Sequence, residues 1–177
     1  MKFELYVKEF INENENSLEL KVEIFNNQLN PFNQSYLDIF YKWEKGIKTD
    51  WKLMKSTRNK ETWIRCCNIL NGVVDSIKID KNYVIDGNLV KHPIDFHCLF
   101  GELFLGENGY FGSDYHSFKD CLTQTSLKSN SNKIDSEIEI LNYNTLDLTI
   151  SKFDNYIGYV DAIFNELELS GFKIVKN

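Results

Sequence analysis

Residues 110–123, YFGSDYHSFKDCLT, hold the side chains best suited to chemistry. His116 and Asp120 stand four residues apart, one above the other on a helix, a spacing at which an imidazole and a carboxylate can share a proton. Acid–base catalysis needs more than that pair. A nucleophile, a metal set or a phosphate-holding loop must accompany it, and the sequence offers none. These residues therefore argue against an enzyme. The other chemistry open to them is recognition: a carboxylate on a rigid helix beside a Tyr-Phe-Gly loop suits docking on a positive surface, through charge-assisted hydrogen bonds to arginine or lysine.

The helix that would position them is amphipathic. Tyr115, Phe118 and Leu122 fall at i, i+3 and i+7 and are expected to face a core, with His116, Asp120 and Thr123 on the opposite face. Upstream, residues 83–85 read as a strand before an Asp86-Gly87 turn, and Pro93 opens a helix carrying DFHCLFGELF. His92 and His97 flank that helix start and are expected at the surface or as caps. Downstream come a polar, serine-rich loop (126–136) and a strand at 137–141. A helix follows, N-capped by Asp154, with Tyr156, Val160, Ile163, Phe164 and Leu167 inward. Gly171 ends it and 172–175 form a last strand. Strand–helix alternation of this kind predicts a small parallel sheet covered by helices.

The first part of the chain reads as α+β. Alternating apolar residues at Phe3, Leu5 and Val7, and again at Leu18, Leu20, Val22 and Ile24, flank the polar INENENS and predict an antiparallel hairpin. A loop over NNQLNPFNQS follows, then a short helix or strand at 36–45 ended by Gly46. A helix at 59–71 is expected to bury Trp63, Cys66, Cys67 and Leu70, and 73–79 to form a strand. The fold class is thus α/β, with an α+β N-terminal region over 1–79 and a second domain, 80–177, expected to hold its own core.

Charge divides at the same place. Of the 177 residues, 1–79 carry 12 Lys+Arg against 11 Asp+Glu, and 80–177 carry 8 against 15, a net −7. An acidic domain repels nucleic acid and attracts a basic protein. With 42% hydrophobic and 14% aromatic residues, the chain has ample material for a core. Cys66, Cys67, Cys98 and Cys121 show no CxxC or Cys/His spacing, so neither zinc nor a disulfide framework is expected. No cofactor is implied. The charged N-terminus lacks a leader pattern, and no apolar run approaches the roughly 18 residues of a membrane span; the expected location is the cytoplasm.

The order YVIDG (83–87), DFHCLFGELF (95–104), YFG…DCLT (110–123) and IFNELELSGFKIV (163–175) resembles the barstar family, intracellular inhibitors of barnase-type ribonucleases. The resemblance covers about residues 80–177, and Tyr110, Phe111, Gly112, Asp120, Cys121, Leu122 and Thr123 are its most specific part. It implies a small parallel sheet with helices, and an inhibitor that covers a nuclease active site with acidic and aromatic side chains. Asp120 matches the central acid of the inhibitory helix, Tyr110 and Gly112 the loop before it, and Glu166 the acid on the last helix. His116 stands where the family has an acid, Asp114 where it has Asn, and Lys119 where an aromatic is common. Those departures imply a cognate nuclease toxin other than barnase. Asp114 restores an acid near the helix start, or caps the helix. The expected contact set is Tyr110, Gly112, Asp114, His116, Asp120 and Glu166. The competing reading is an interaction module of the same fold whose partner is a non-nuclease toxin or a regulatory protein.

Overall fold

The alternating N-terminal residues pair as a hairpin: β1 (Glu4–Asn14) runs antiparallel to β2 (Ser17–Phe25), from Glu4 opposite Phe25 to Asn14 opposite Ser17. The register shifts between Val7 and Glu9 and again between Phe10 and Asn12, irregularities that locally strengthen twist. A computed structural model describes residues 4–14, 17–25, 34–73, 77, 82–128 and 136–177; side chains are described for 34–73, 77, 82–125 and 136–177. The expected loop at 26–33, most of the expected strand at 73–79 and most of the serine-rich loop lie outside these residues. α1 (Gln34–Glu44) settles the 36–45 stretch as helix; Ile39 is its buried residue, and Gly46 comes after it with φ 68°.

Contacts divide the chain into two units, Met1–Thr49 and Asp50–Asn177. The expected boundary at 79/80 follows charge, whereas packing separates at 49/50. Residues 50–73 belong to the second unit because their largest apolar groups are spent there. Trp51, Trp63, Ile64, Cys66 and Cys67 are all buried. Polar ties join in: α2 (Thr57–Asn71) sends Lys60 Nζ to Asp95 Oδ1 at 2.6 Å, and Asn71 Nδ2 donates to the Asn108 carbonyl at 2.7 Å. Lys52, in the short 3₁₀ turn before α2, pairs with Glu102. Leu70, expected inward, is half exposed, and Thr62 and Ile64 take the buried positions instead.

The second unit is a three-stranded parallel sheet with helices, order β3 (Tyr83–Asp86), β4 (Glu137–Leu141), β5 (Lys173–Lys176), in register Tyr83–Ile138–Ile174. Tyr83, Ile85, Ile138 and Ile140 are buried on one sheet face; Val84, on the other, is half exposed. At the centre lies α3 (Pro93–Leu105), opened by Pro93 and buried along Pro93–Gly101 and at Phe104. Its phenylalanines build an aromatic core: Phe96–Phe100 centroids stand 4.8 Å apart, Phe100–Phe118 5.0 Å and Phe104–Phe111 4.7 Å, mostly edge-on as ring quadrupoles favour. Gly101 lets the chain come close: a Cβ there would lie 2.3 Å from the Gly109 carbonyl oxygen. That contact brings the loop of 106–114 onto α3 and aims α4 (Tyr115–Lys128).

After β4 the chain forms α5 (Tyr143–Ile150), an element without a clear signal in the sequence. Its two buried residues, Leu146 and Ile150, are too few to stand out as a periodic stripe. Asp154 does not cap the last helix: it opens a single 3₁₀ turn, Asp154–Tyr156. α6 (Tyr159–Leu169) starts later, with Gly158 at its N-cap in the left-handed region, and buries Val160, Ile163, Phe164 and Leu167 as expected. Tyr156 is left half-buried outside it. Among the described residues no helix is long and apolar enough to cross a membrane.

Candidate functional site

The start of α4 is fixed by reciprocal caps. Asp114 Oδ1 accepts the Ser117 N–H at 2.8 Å, while Ser117 Oγ accepts the N–H groups of Ser113 (2.8 Å) and Asp114 (3.0 Å). This is a capping box with Ser in the place usually held by Glu. Burial alone would raise the Asp114 pKa; the hydrogen bonds from Ser117 and the nearby His97 outweigh it and hold the carboxyl below its usual value. Asp114 is exposed, so one residue both caps the helix and presents charge.

Gly112 and Tyr110 are buried rather than displayed at the surface. Gly112 has φ 85°, and a Cβ on it would lie 2.4 Å from the Phe118 nitrogen, so the loop passes directly against the α4 backbone. Tyr110 is only 6% exposed; burial raises its hydroxyl pKa, partly offset by Ser113 and Ser117. Both pack the loop against the start of α4. On α4, Phe118, Cys121, Leu122 and Thr125 face inward, and His116, Lys119, Asp120 and Thr123 face solvent. Tyr115, expected in the core, is half-buried and turns its hydroxyl to α6.

That hydroxyl donates to Glu166 Oε1 at 2.6 Å, and Lys119 Nζ reaches the same oxygen at 2.8 Å. The Lys119 bond first, then that of Tyr115, lower the Glu166 pKa against a smaller effect of burial. Glu166 is thus already engaged as a clamp between α4 and α6. Asp120 makes no hydrogen bond or ion pair among the described residues, and none joins it to His116.

His97 departs furthest from expectation. It is 2% exposed, with Nε2 2.6 Å from the Tyr159 hydroxyl, and Nδ1 has no hydrogen-bond partner among the described residues. Burial pushes its pKa down to about 4, with Asp114 opposing. Its neighbours Phe96, Cys98, Leu99 and Phe100 form an apolar run that could have signalled burial. His92 caps α3 as expected, Nδ1 accepting the Ile94 N–H at 3.2 Å. The four cysteines are free and buried, and burial raises each thiol, that of Cys66 to about 12 and that of Cys121 to about 11; such thiols are poor nucleophiles and ligands. Among the described residues no group of His, Cys, Asp and Glu gathers to hold a metal.

The site brings three of the six expected residues, Asp114, His116 and Asp120, onto exposed positions at and along the start of one helix. Glu166 lies across the α4–α6 contact, and Tyr110 and Gly112 lie beneath. No known protein family, curated protein or solved structure matches the chain.

Proposed function

We propose that the protein is a cytoplasmic inhibitor of a nuclease toxin, an immunity protein of barstar type, whose α4 face covers a basic active site in a stoichiometric complex. The observation that carries this reading is the carboxylate of Asp120, without a hydrogen bond or ion pair among the described residues, on a helix whose start is rigidly capped and whose other acid, Asp114, has its pKa lowered. Carboxylates so placed occupy positions that RNA phosphates take among arginine, lysine and histidine groups. A small parallel sheet with helices is the architecture the family resemblance implies, which supports the reading. The exposed His116 and the Lys119–Glu166 tie redraw the face relative to the family and favour a toxin other than barnase.

The test is a search of the neighbouring reading frames for a nuclease, followed by a calorimetric titration of the protein against that nuclease at two salt concentrations, with RNA cleavage followed in parallel. Tight binding, loss of cleavage and weakening with salt are expected. Asp120→Asn keeps shape and removes charge; it should weaken binding by about 2–5 kcal/mol, a range that includes measurements on barnase–barstar itself and so is borrowed rather than independent. Unchanged affinity for Asp120→Asn, with no salt dependence, would place the contact on another surface.

A further inference from the structure

A belt of aromatic rings runs across the N-terminal ends of α4 and α6. The centroids of His116 and Tyr115 stand 5.6 Å apart, Tyr115 and Tyr159 6.4 Å, Tyr159 and Tyr156 4.8 Å, and Tyr156 and Phe153 6.4 Å. His116 is exposed and the other four are half-buried, so the belt lies at the surface, outside the aromatic core around α3. Two of its hydroxyls are spent within the fold. Tyr115 donates to Glu166 at 2.6 Å, and the Tyr159 oxygen stands 2.6 Å from His97 Nε2. These bonds fix both rings, which offer a partner π-surface more than hydroxyl. Between Tyr156 and Tyr159 in the chain, Ile157 is 79% exposed.

Size and charge indicate what covers the belt. An interface of ordinary size takes about 20–30 residues a side. The described part of α4 exposes few: His116, Lys119, Asp120, Thr123 and Gln124, with Asp114 at the cap. A partner seated on α4 must reach beyond it, and the belt begins on that helix at His116. Acids stand beside the tyrosines: Asp114 and Glu61 line the same small cleft as Tyr156, and Asp154 lies in the turn that Tyr156 ends. The cations nearby are committed, Lys119 to Glu166 and Arg65 to an interaction of its own. Lys152 adjoins Phe153 and sets that end of the belt apart. Fixed ring faces beside carboxylates attract a guanidinium, which stacks on the ring and keeps its donors for the acids.

We propose that Tyr115, Tyr156 and Tyr159, with Ile157 at their edge, form the aromatic half of the partner-binding surface and stack arginine side chains of the basic partner. The proposal rests on the inhibitor reading for the class of partner. It extends the contact from α4 to the start of α6 and the turn before it. None of these four residues belongs to the contact set that the family resemblance implies.

The experiment is an NMR titration of the isotopically labelled full chain with a blocked tri-arginine peptide, and with the matching lysine and uncharged citrulline peptides, at constant ionic strength. With arginine, saturable shifts are expected at the Tyr115, Tyr156 and Tyr159 rings and the Ile157 methyls, and the peptide's Cδ protons should move upfield under the ring current. Lysine should bind more weakly, and citrulline should not saturate. Tyr156→Phe keeps the ring and should keep the affinity, whereas Tyr156→Leu should lose about threefold, the size of one exposed cation–π contact. Ile157→Lys, at a position in solvent, should weaken binding with the melting temperature unchanged, and it carries the test if Tyr156→Leu fails to fold. Four results would each overturn the proposal: a lysine or citrulline response equal to that for arginine, unchanged affinity in Tyr156→Leu or Ile157→Lys, no saturable shifts, or broadening of the belt signals that grows with protein concentration and marks a second copy seated there. A chain that ignores the arginine peptide yet loses its nuclease partner through Asp120→Asn would keep the inhibitor reading and discard the belt. Arginine binding that depends on Tyr156, with no effect of Asp120→Asn on the nuclease, would keep the belt and discard the α4 contact.

Discussion

At the scale of single residues, the acids around α4 differ in what they are free to do. Asp120 has no hydrogen bond or ion pair among the described residues, Asp114 caps and stays charged, and Glu166 is held by Tyr115 and Lys119. Removing the lysine should therefore release Glu166 as a contact. Lys119→Ala is expected to bind a basic nuclease more tightly than the native chain does in the same calorimetric assay; unchanged or weaker binding would mean that Glu166 lies outside the contact. His97 gives a second residue-scale prediction. Its folded pKa of about 4 lies below the ordinary 6.5, so between those values the unfolded chain binds the proton first. Stability is then full above pH 6.5 and falls as pH drops towards 4, by a total on the order of 3 kcal/mol. The His97 Cε1–H resonance should stay flat from pH 8 to 5.5. An inflection near 6.5 would show an accessible imidazole.

At the scale of elements, α2 and α3 are joined by a charge pair taken out of water. The Asp95 side chain is fully buried and that of Lys60 only 13% exposed, with Asp95 Oδ2 also accepting the Lys91 N–H at 3.0 Å. Such a pair contributes little net stability against an apolar pair of the same shape, but breaking one side strands a charge. Lys60→Met should cost about 3–5 kcal/mol in urea unfolding, because Asp95 is left uncompensated. Pairing it with Asp95→Leu should recover part of the loss, the Lys91 N–H then remaining unsatisfied. A cost below ~1 kcal/mol for Lys60→Met would mean that water solvates Asp95 freely.

At the scale of the molecule, the division at 49/50 decides which fragment stands alone. Burial of Trp51, Trp63 and Ile64 contributes about 1.5–3 kcal/mol apiece, a sum comparable with the whole stability of a typical domain, about 5–15 kcal/mol. Residues 50–177 should accordingly unfold cooperatively as a fragment, whereas 80–177, lacking these groups and Lys60, should not. Circular dichroism melts of both fragments check this; a cooperative melt of 80–177 would show that α2 is an accessory rather than part of the core.

What the chain alone determined is what local rules govern. Pro93 opened α3, and the spacing of Phe118 and Leu122 placed a helix within 110–123, whereas its last turn, to Lys128, runs into the stretch the sequence marks as loop. Alternation and strand–helix order implied the hairpin and the parallel sheet, and the same spacing turned His116 and Asp120 to solvent. Tertiary structure decided what depends on partners distant in sequence. Whether Glu166 is free rests on Lys119, 47 residues away, and the burial of Asp95 rests on Lys60, 35 residues away. Gly158, rather than Asp154, begins α6, since a left-handed residue sets the helix apart from the turn before it. Periodicity reports which face of an element is apolar. It does not report which polar atom on another element meets it, and that pairing separates an available carboxylate from an engaged one.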